Sequence, residues 1–251
     1  VSSCARALPR WALALLVGGI ACGPVAPAQA ASAATDFTGT WLPDPERATA
    51  WPAQLPLTPA ARDFMARFDP ASHDPTSFCM PFGTPRNMLQ VQFPLQILQT
   101  GQRLTMVLQP DLSNAEVRRI PLAGKLPEDP EPSWFGTSRG HWDGATLVIE
   151  TIGLREDSLV SGEGLPHSPQ LRVIERLSVV KDARHGKVLV DELELQDPLS
   201  WSAPLRTRRY FTWAPQARFT EGGCVSRRWI DKLWRDRLQE HAQARGKEGA
   251  K

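Results

Sequence analysis

The sequence predicts a mainly β protein: an antiparallel β-barrel or strongly curved sheet with a short N-terminal helix and a C-terminal amphipathic helix. Three observations predict it. From residue 93 onward, apolar and polar residues alternate with a period of two, in runs of strand length. Turn-forming residues punctuate those runs at Gly101, Gly124, Asp143-Gly144, Asp182–Gly186 and Asp197-Pro198. No segment between the runs carries the 3.6-residue period of a crossover helix, which excludes a parallel α/β sheet.

Taken in order, residues 1–30 read as a signal peptide. Arg6 and Arg10 precede the apolar run Trp11–Cys22, and Ala28-Gln29-Ala30 supplies a small-residue cleavage site. The run is shorter than the roughly 20 residues a spanning helix needs, and no other stretch is long and apolar enough. A periplasmic or secreted protein is therefore expected. Cys22 offers a rival reading as a lipid attachment site, although Gly19 stands three residues before it, where that reading wants a branched aliphatic.

Residues 31–57 are expected to hold a linker and a first strand, Phe37-Thr-Gly-Thr-Trp41, followed by a Pro/Ala-rich surface stretch. A single barrel-like domain is assigned to residues 58–225. It opens with a helix capped by Thr58, with Pro59 at the first helical position and Phe64, Met65 and Phe68 on one face. Four prolines are expected to keep residues 70–87 irregular. Strands are predicted over 93–100, 102–109, 115–121, 136–142, 145–153, 170–181, 187–196, 204–213 and 217–224. Residues 226–251 form a helix and polar tail, whose stripe of Trp229, Ile230, Leu233, Trp234 and Leu238 is expected to pack onto the barrel.

Charge and cysteines narrow the function classes. Removing residues 1–30 takes away two arginines and no acid, so the formal charge falls from +2 to 0. A neutral chain of mixed sign makes no electrostatic case for nucleic acid. The tail departs from this balance, with eight Lys/Arg against four Asp/Glu in residues 226–251. Outside residues 1–30 only Cys79 and Cys224 remain, and in an oxidising compartment two distant cysteines are most simply a disulfide. No metal-ligand spacing or nucleotide motif is present, so no cofactor is expected.

The candidate site residues come from broken alternation. Glu175 shares a face with Leu171, Val173, Leu177 and Val179; Asp191 with Leu189, Leu193 and Leu195; Arg209 with Leu205, Thr207, Phe211 and Trp213. A half-buried strand keeps charge on its other face. Three inward charges on neighbouring strands therefore either pair to fix strand register or line a polar cavity. Glu175, Asp191 and the nearby His167 are the candidate acid–base groups. Arg209, Arg86, Trp134, His141 and Trp142 are candidate binding residues, with Arg86 able to clamp a carboxylate bidentately or to lock a loop.

Several of these segments resemble a family of exported bacterial proteins without an assigned activity. The resemblance is carried by Asp36-Phe-Thr-Gly-Thr-Trp41, Cys79-Met-Pro-Phe-Gly-Thr-Pro-Arg-Asn-Met88 and Trp134-Phe-Gly-Thr-Ser-Arg-Gly-His-Trp-Asp-Gly-Ala-Thr-Leu-Val148. Pro166-His-Ser168, Glu175-Arg176 and Asp197-Pro198 continue it, covering roughly residues 36–224. The chain departs from that pattern at His141, Ala145 and around Trp201. The resemblance implies export and a common fold, and it carries no catalytic assignment. Gly39-Thr-Trp41 is also similar to the opening strand of lipocalins and other calycin barrels, which implies a cup for a small apolar molecule. The leading functional expectation is thus binding of a small hydrophobic or amphiphilic molecule. A cofactor-independent hydrolase, isomerase, hydratase or cyclase acting in the barrel is the alternative, and a cell-envelope interaction protein the second alternative.

Overall fold

The computed structural model describes residues 34–111, 115–225 and 231–240. The segment read as a signal peptide, together with Trp229 and Ile230, lies outside them. Nine strands form one sheet: β1 (Gly39–Pro43), β2 (Leu95–Gln99), β3 (Arg103–Leu108), β4 (Glu116–Pro121), β5 (Thr137–Asp143), β6 (Thr146–Ile152), β7 (Arg172–Asp182), β8 (Gly186–Gln196) and β9 (Leu205–Trp213). Their order is β4-β3-β2-β1-β9-β8-β7-β6-β5, every neighbouring pair is antiparallel, and the sheet curls into a nearly closed barrel.

The first strand closes the barrel against the last. Trp41 sits opposite Trp213 and Pro43 opposite Phe211, so the barrel begins before residue 58 and includes the G-T-W segment. Gly39 has φ +139°, and a Cβ there would collide with the Trp213 ring. The glycine is what lets that ring pack across the strand.

The sheet's free edges are β4 and β5. Eight antiparallel steps separate them, so the two edges run parallel and no hairpin can join them. Residues 122–136 instead carry the chain back along the barrel. At this seam, a Cβ on Gly140 would lie 2.8 Å from Leu122 and 3.4 Å from Ile120. The missing side chain lets β4 and the residue after it pack onto β5 without backbone hydrogen bonds.

Inward residues make one core that includes Trp41, Leu95, Ile97, Leu104, Met106, Ile120, Leu147, Ile149, Leu189 and Phe211, all fully buried. At about 25 cal/mol per Å² of apolar surface removed from water, such residues supply the main driving force for closure.

The predicted cap is present: Thr58 accepts from Ala61 N, and helix α1 runs Pro59–Ala66. Its Phe64, however, is partly exposed and lines a cleft, while Met65 packs on the core. Residues 70–87 are not irregular throughout. They contain α2 (Pro70–His73), a 3-10 turn (Pro75–Phe78) and the start of α3 (Arg86–Leu89). Pro70 and Pro75 each occupy a first helical turn behind a capping aspartate, Asp69 and Asp74. Proline lacks an N–H that this position leaves unpaired anyway, so here it starts helical turns rather than preventing them.

The strand expected over 217–224 does not form. Both edges of β9 are already taken by β1 and β8, and the segment is held instead by Gln109, which bonds the backbone N–H and carbonyl of Thr220. Cys224 bonds Cys79 with their Cα atoms 5.5 Å apart.

The last described helix, α4, spans residues 231–240. Its Leu233, Trp234 and Leu238 are exposed, contrary to the expectation that this stripe packs on the barrel. The outer face of β6–β9 carries the charged pairs Arg172–Glu150, Arg206–Glu194 and Arg208–Glu192.

Candidate functional site

Strand register places the three charges as alternation requires. Leu177 faces Asp191 across β7–β8, and Asp191 faces Arg209 across β8–β9. Glu175 and Asp191 are fully buried on the inner face. The cation that meets Glu175 is Arg118 on β4, which the sequence reading did not include. Its Nη1 donates to Glu175 Oε1 at 2.9 Å and its Nη2 to Oε2 at 2.6 Å, with both side chains almost wholly out of water. Such a forked pair is the strongest geometry open to an arginine and a carboxylate.

Asp191 is different. Neither of its carboxyl oxygens has a hydrogen-bond partner, and Arg118 Nε is also unmatched. Burial pushes the Asp191 carboxyl well above the usual carboxylate range, and the negative charge of Glu175 adds to this; Arg118 and Arg209 oppose it less strongly. Burial thus favours the protonated form of this group, because an uncompensated carboxylate inside the barrel would be very costly.

Arg209 does not complete an ion pair with Asp191. It donates from Nε to Leu89 O (3.1 Å) and from Nη1 to Thr207 Oγ1 (2.7 Å) and Thr49 O (3.1 Å). Among the described residues no carboxylate lies within salt-bridge reach of it. The guanidinium stands in a cleft of about 210 Å³ whose walls include Met88, Leu89, Val91, Phe211, Asp44 and Tyr210. The chain's own carbonyls hold it in place while it remains half-buried.

His167 belongs to a separate neighbourhood. Its ring lies in a cleft of about 560 Å³ beneath α1, with Phe64, Leu159, Leu199, His73 and Asp157. The charges that act on it are Asp197, Glu156 and Asp157, none of them from the barrel interior. Nδ1 meets the Ser168 carbonyl at 2.8 Å, which can only accept, so Nδ1 carries the proton. Nε2 meets the Ser158 hydroxyl at 2.8 Å, and that hydroxyl donates its single proton to the Arg155 carbonyl at 2.7 Å. Burial lowers its pKa, outweighing the Ser168 carbonyl and the nearby acids. With both ring nitrogens engaged, His167 holds the loop. Ser168 extends the same lock, bonding Asp197 through its N–H and hydroxyl.

The remaining candidates are distributed elsewhere. Arg86 does clamp a carboxylate bidentately, but it is the chain's own Asp74, at 2.8 Å through each nitrogen. Its Nε reaches Gln90, which in turn accepts from Gly162 N, so this arginine locks the 74–90 segment to a neighbouring loop. Burial opposes ionisation of Asp74, yet the bonds and charge of Arg86 hold its pKa below the usual value. Trp134 stacks under the Arg155 guanidinium at 5.1 Å. Trp142 stacks on Phe37 with ring centroids 5.7 Å apart. His141 points outward and is exposed.

Beside Arg118, Glu116 faces inward and accepts from Phe82 N (2.6 Å) and Asn87 Nδ2 (3.1 Å). Burial raises its pKa against those bonds. The interior thus holds three carboxyl groups, Glu116, Glu175 and Asp191, near Arg118, whose two Nη atoms are bonded to Glu175, with Arg209 half-buried opposite Asp191. Comparison with protein-family models and with curated proteins finds no match to this chain.

Proposed function

We propose that this chain is an exported β-barrel protein that binds a small amphiphilic molecule at the barrel mouth. The apolar part lies among Met88, Leu89, Val91 and Phe211, and a hydrogen-bond-accepting head meets Arg209. One observation carries the reading: a half-buried arginine, fixed by Leu89, Thr49 and Thr207, with no carboxylate in salt-bridge reach among the described residues, in a cleft with Met88, Leu89, Val91 and Phe211 in its walls. An arginine so placed is a preorganised donor for a carboxylate or similar head. The volume is below the roughly 300–1,000 Å³ common for drug-sized ligands, which suits a short chain. Export is supported by the leader-like residues 1–30 and by the Cys79–Cys224 disulfide.

Calorimetric titration of the mature chain with octanoate, octanol and octylamine tests this. Octanoate is expected to bind best. Arg209→Met should weaken it at least tenfold, about 1.4 kcal/mol, while Arg209→Lys keeps part of the affinity. Equal affinity for the amine, or no effect of either substitution, refutes the reading.

A second reading is favoured by Asp191 specifically. A carboxylic acid held neutral beside a carboxylate is suited to proton transfer. On that reading Asp191→Asn abolishes turnover of a bound molecule while leaving its binding intact.

A further inference from the structure

Helix α4 leaves large apolar side chains in water. Leu233, Trp234 and Leu238 are 43%, 61% and 64% exposed, and they fall on one side of a ten-residue helix. Isolated helices below about 12–15 residues are marginal in water, and most helical stability in proteins comes from packing an apolar face. Among the described residues nothing packs closely enough to bury this face. The segment is also covalently placed, since Cys224, seven residues before α4 begins, is bonded to Cys79.

Charge selects the occupant. Within α4, Lys232, Arg235 and Arg237 balance Asp231, Asp236 and Glu240, but the flanking Arg227, Arg228, Arg245, Lys247 and Lys251 face only Glu248. Residues 226–251 therefore hold eight basic groups against four acidic, whereas residues 31–225 hold 19 against 23. An acidic body with a basic tail is oriented by a negatively charged surface, tail first. Tryptophan and leucine on one helical face, with arginines around them, match a helix lying in a membrane interface.

We propose that α4 docks the protein on an anionic lipid surface, with Leu233, Trp234 and Leu238 inserted between headgroups and the net basic charge of residues 226–251 drawing the helix to that surface. The barrel and its mouth cleft take no part, so this docking stands or falls independently of ligand binding at Arg209.

Co-sedimentation of the full exported chain with vesicles provides the test, using phosphatidylcholine alone and phosphatidylcholine with a quarter phosphatidylglycerol. Binding is expected only to the anionic vesicles and should weaken steeply with salt. The double substitution Trp234→Ser/Leu238→Ser should lower partitioning at least tenfold and leave the barrel's melting temperature unchanged. Arg227→Gln/Arg228→Gln/Arg245→Gln should remove the preference for phosphatidylglycerol. The proposal is overturned if neither vesicle binds the protein, or if the double variant binds as the parent does. It is also overturned if the parent forms a dimer that the double variant lacks and shows no lipid binding, since a second copy would then cover the face.

Discussion

Replacing Arg118 with methionine removes the cation that meets Glu175 inside the barrel. Both side chains are almost wholly buried and joined by two hydrogen bonds, at 2.9 and 2.6 Å. Breaking a buried pair on one side typically costs about 3–5 kcal/mol, because the surviving charge keeps its desolvation penalty. Asp191 makes no hydrogen bond to Arg118, so the cost falls chiefly on Glu175. For a domain of this size each kcal/mol moves the melting temperature by about 2–4 °C, so Arg118→Met should melt about 6–20 °C lower. The double replacement Arg118→Met/Glu175→Leu removes the stranded carboxylate and should recover most of the loss. Thermal and urea unfolding of parent, both single variants and the double variant give the coupling energy directly. A loss below about 1 kcal/mol in Arg118→Met, the range of an exposed pair, would show that water reaches Glu175 and that the pair does not bridge the barrel interior.

Two further outcomes follow from the same core. The folded-state pKa of Asp191 is raised, above an unfolded value of about 3.9. The unfolded chain therefore loses that proton first as pH rises, and the resulting stability is full below about pH 4 and drains away above it. Asp191→Asn has no such proton, so its melting temperature relative to the parent should rise between pH 4 and 7; a constant difference across that range refutes a buried neutral acid. The Cys79–Cys224 bond spans 145 residues, which is worth roughly 5 kcal/mol in the chain-entropy model; Cys79→Ser/Cys224→Ser should keep the barrel's circular dichroism but melt at least about 10 °C lower, and an unchanged melting curve in denaturant argues against it.

The inner face was readable wherever one side of a strand is apolar and the other polar. Leu171 to Val179, Leu189 to Leu195 and Leu205 to Trp213 fixed the parity of β7, β8 and β9, and with it the inward position of Glu175, Asp191 and Arg209. Arg118 escaped because β4 reads Glu-Val-Arg-Arg-Ile-Pro, with arginines on both faces and no clear polarity. The signal that could have found it is Ile120, two residues on and fully buried. Its pairing with Glu175 also crosses from one sheet edge to the third strand from the other, which no local pattern encodes. Residues 217–224 alternate well enough for a strand, but both edges of the preceding strand β9 are already taken by β1 and β8. His167 lay close in sequence to Glu175, yet the loop carries it to the cleft under α1.

The seam gives Glu175 a reason to be buried that Asp191 lacks. Nine strands that alternate in direction cannot close without one parallel contact, and here that contact falls between β4 and β5, where no backbone ladder forms. Ile120 and Leu122 packing over Gly140 supply apolar cohesion there but little directional preference. The Arg118–Glu175 fork adds direction, since its two parallel bonds form only when β4 and β7 are held at one height along the barrel. A pair so engaged is not available to a ligand. Asp191 and Arg209 face each other in register, yet make no ion pair and serve no seam. Their burial is explained neither by strand pairing nor by closure, which is the reason for proposing a ligand at Arg209, on the β8–β9 side of the barrel.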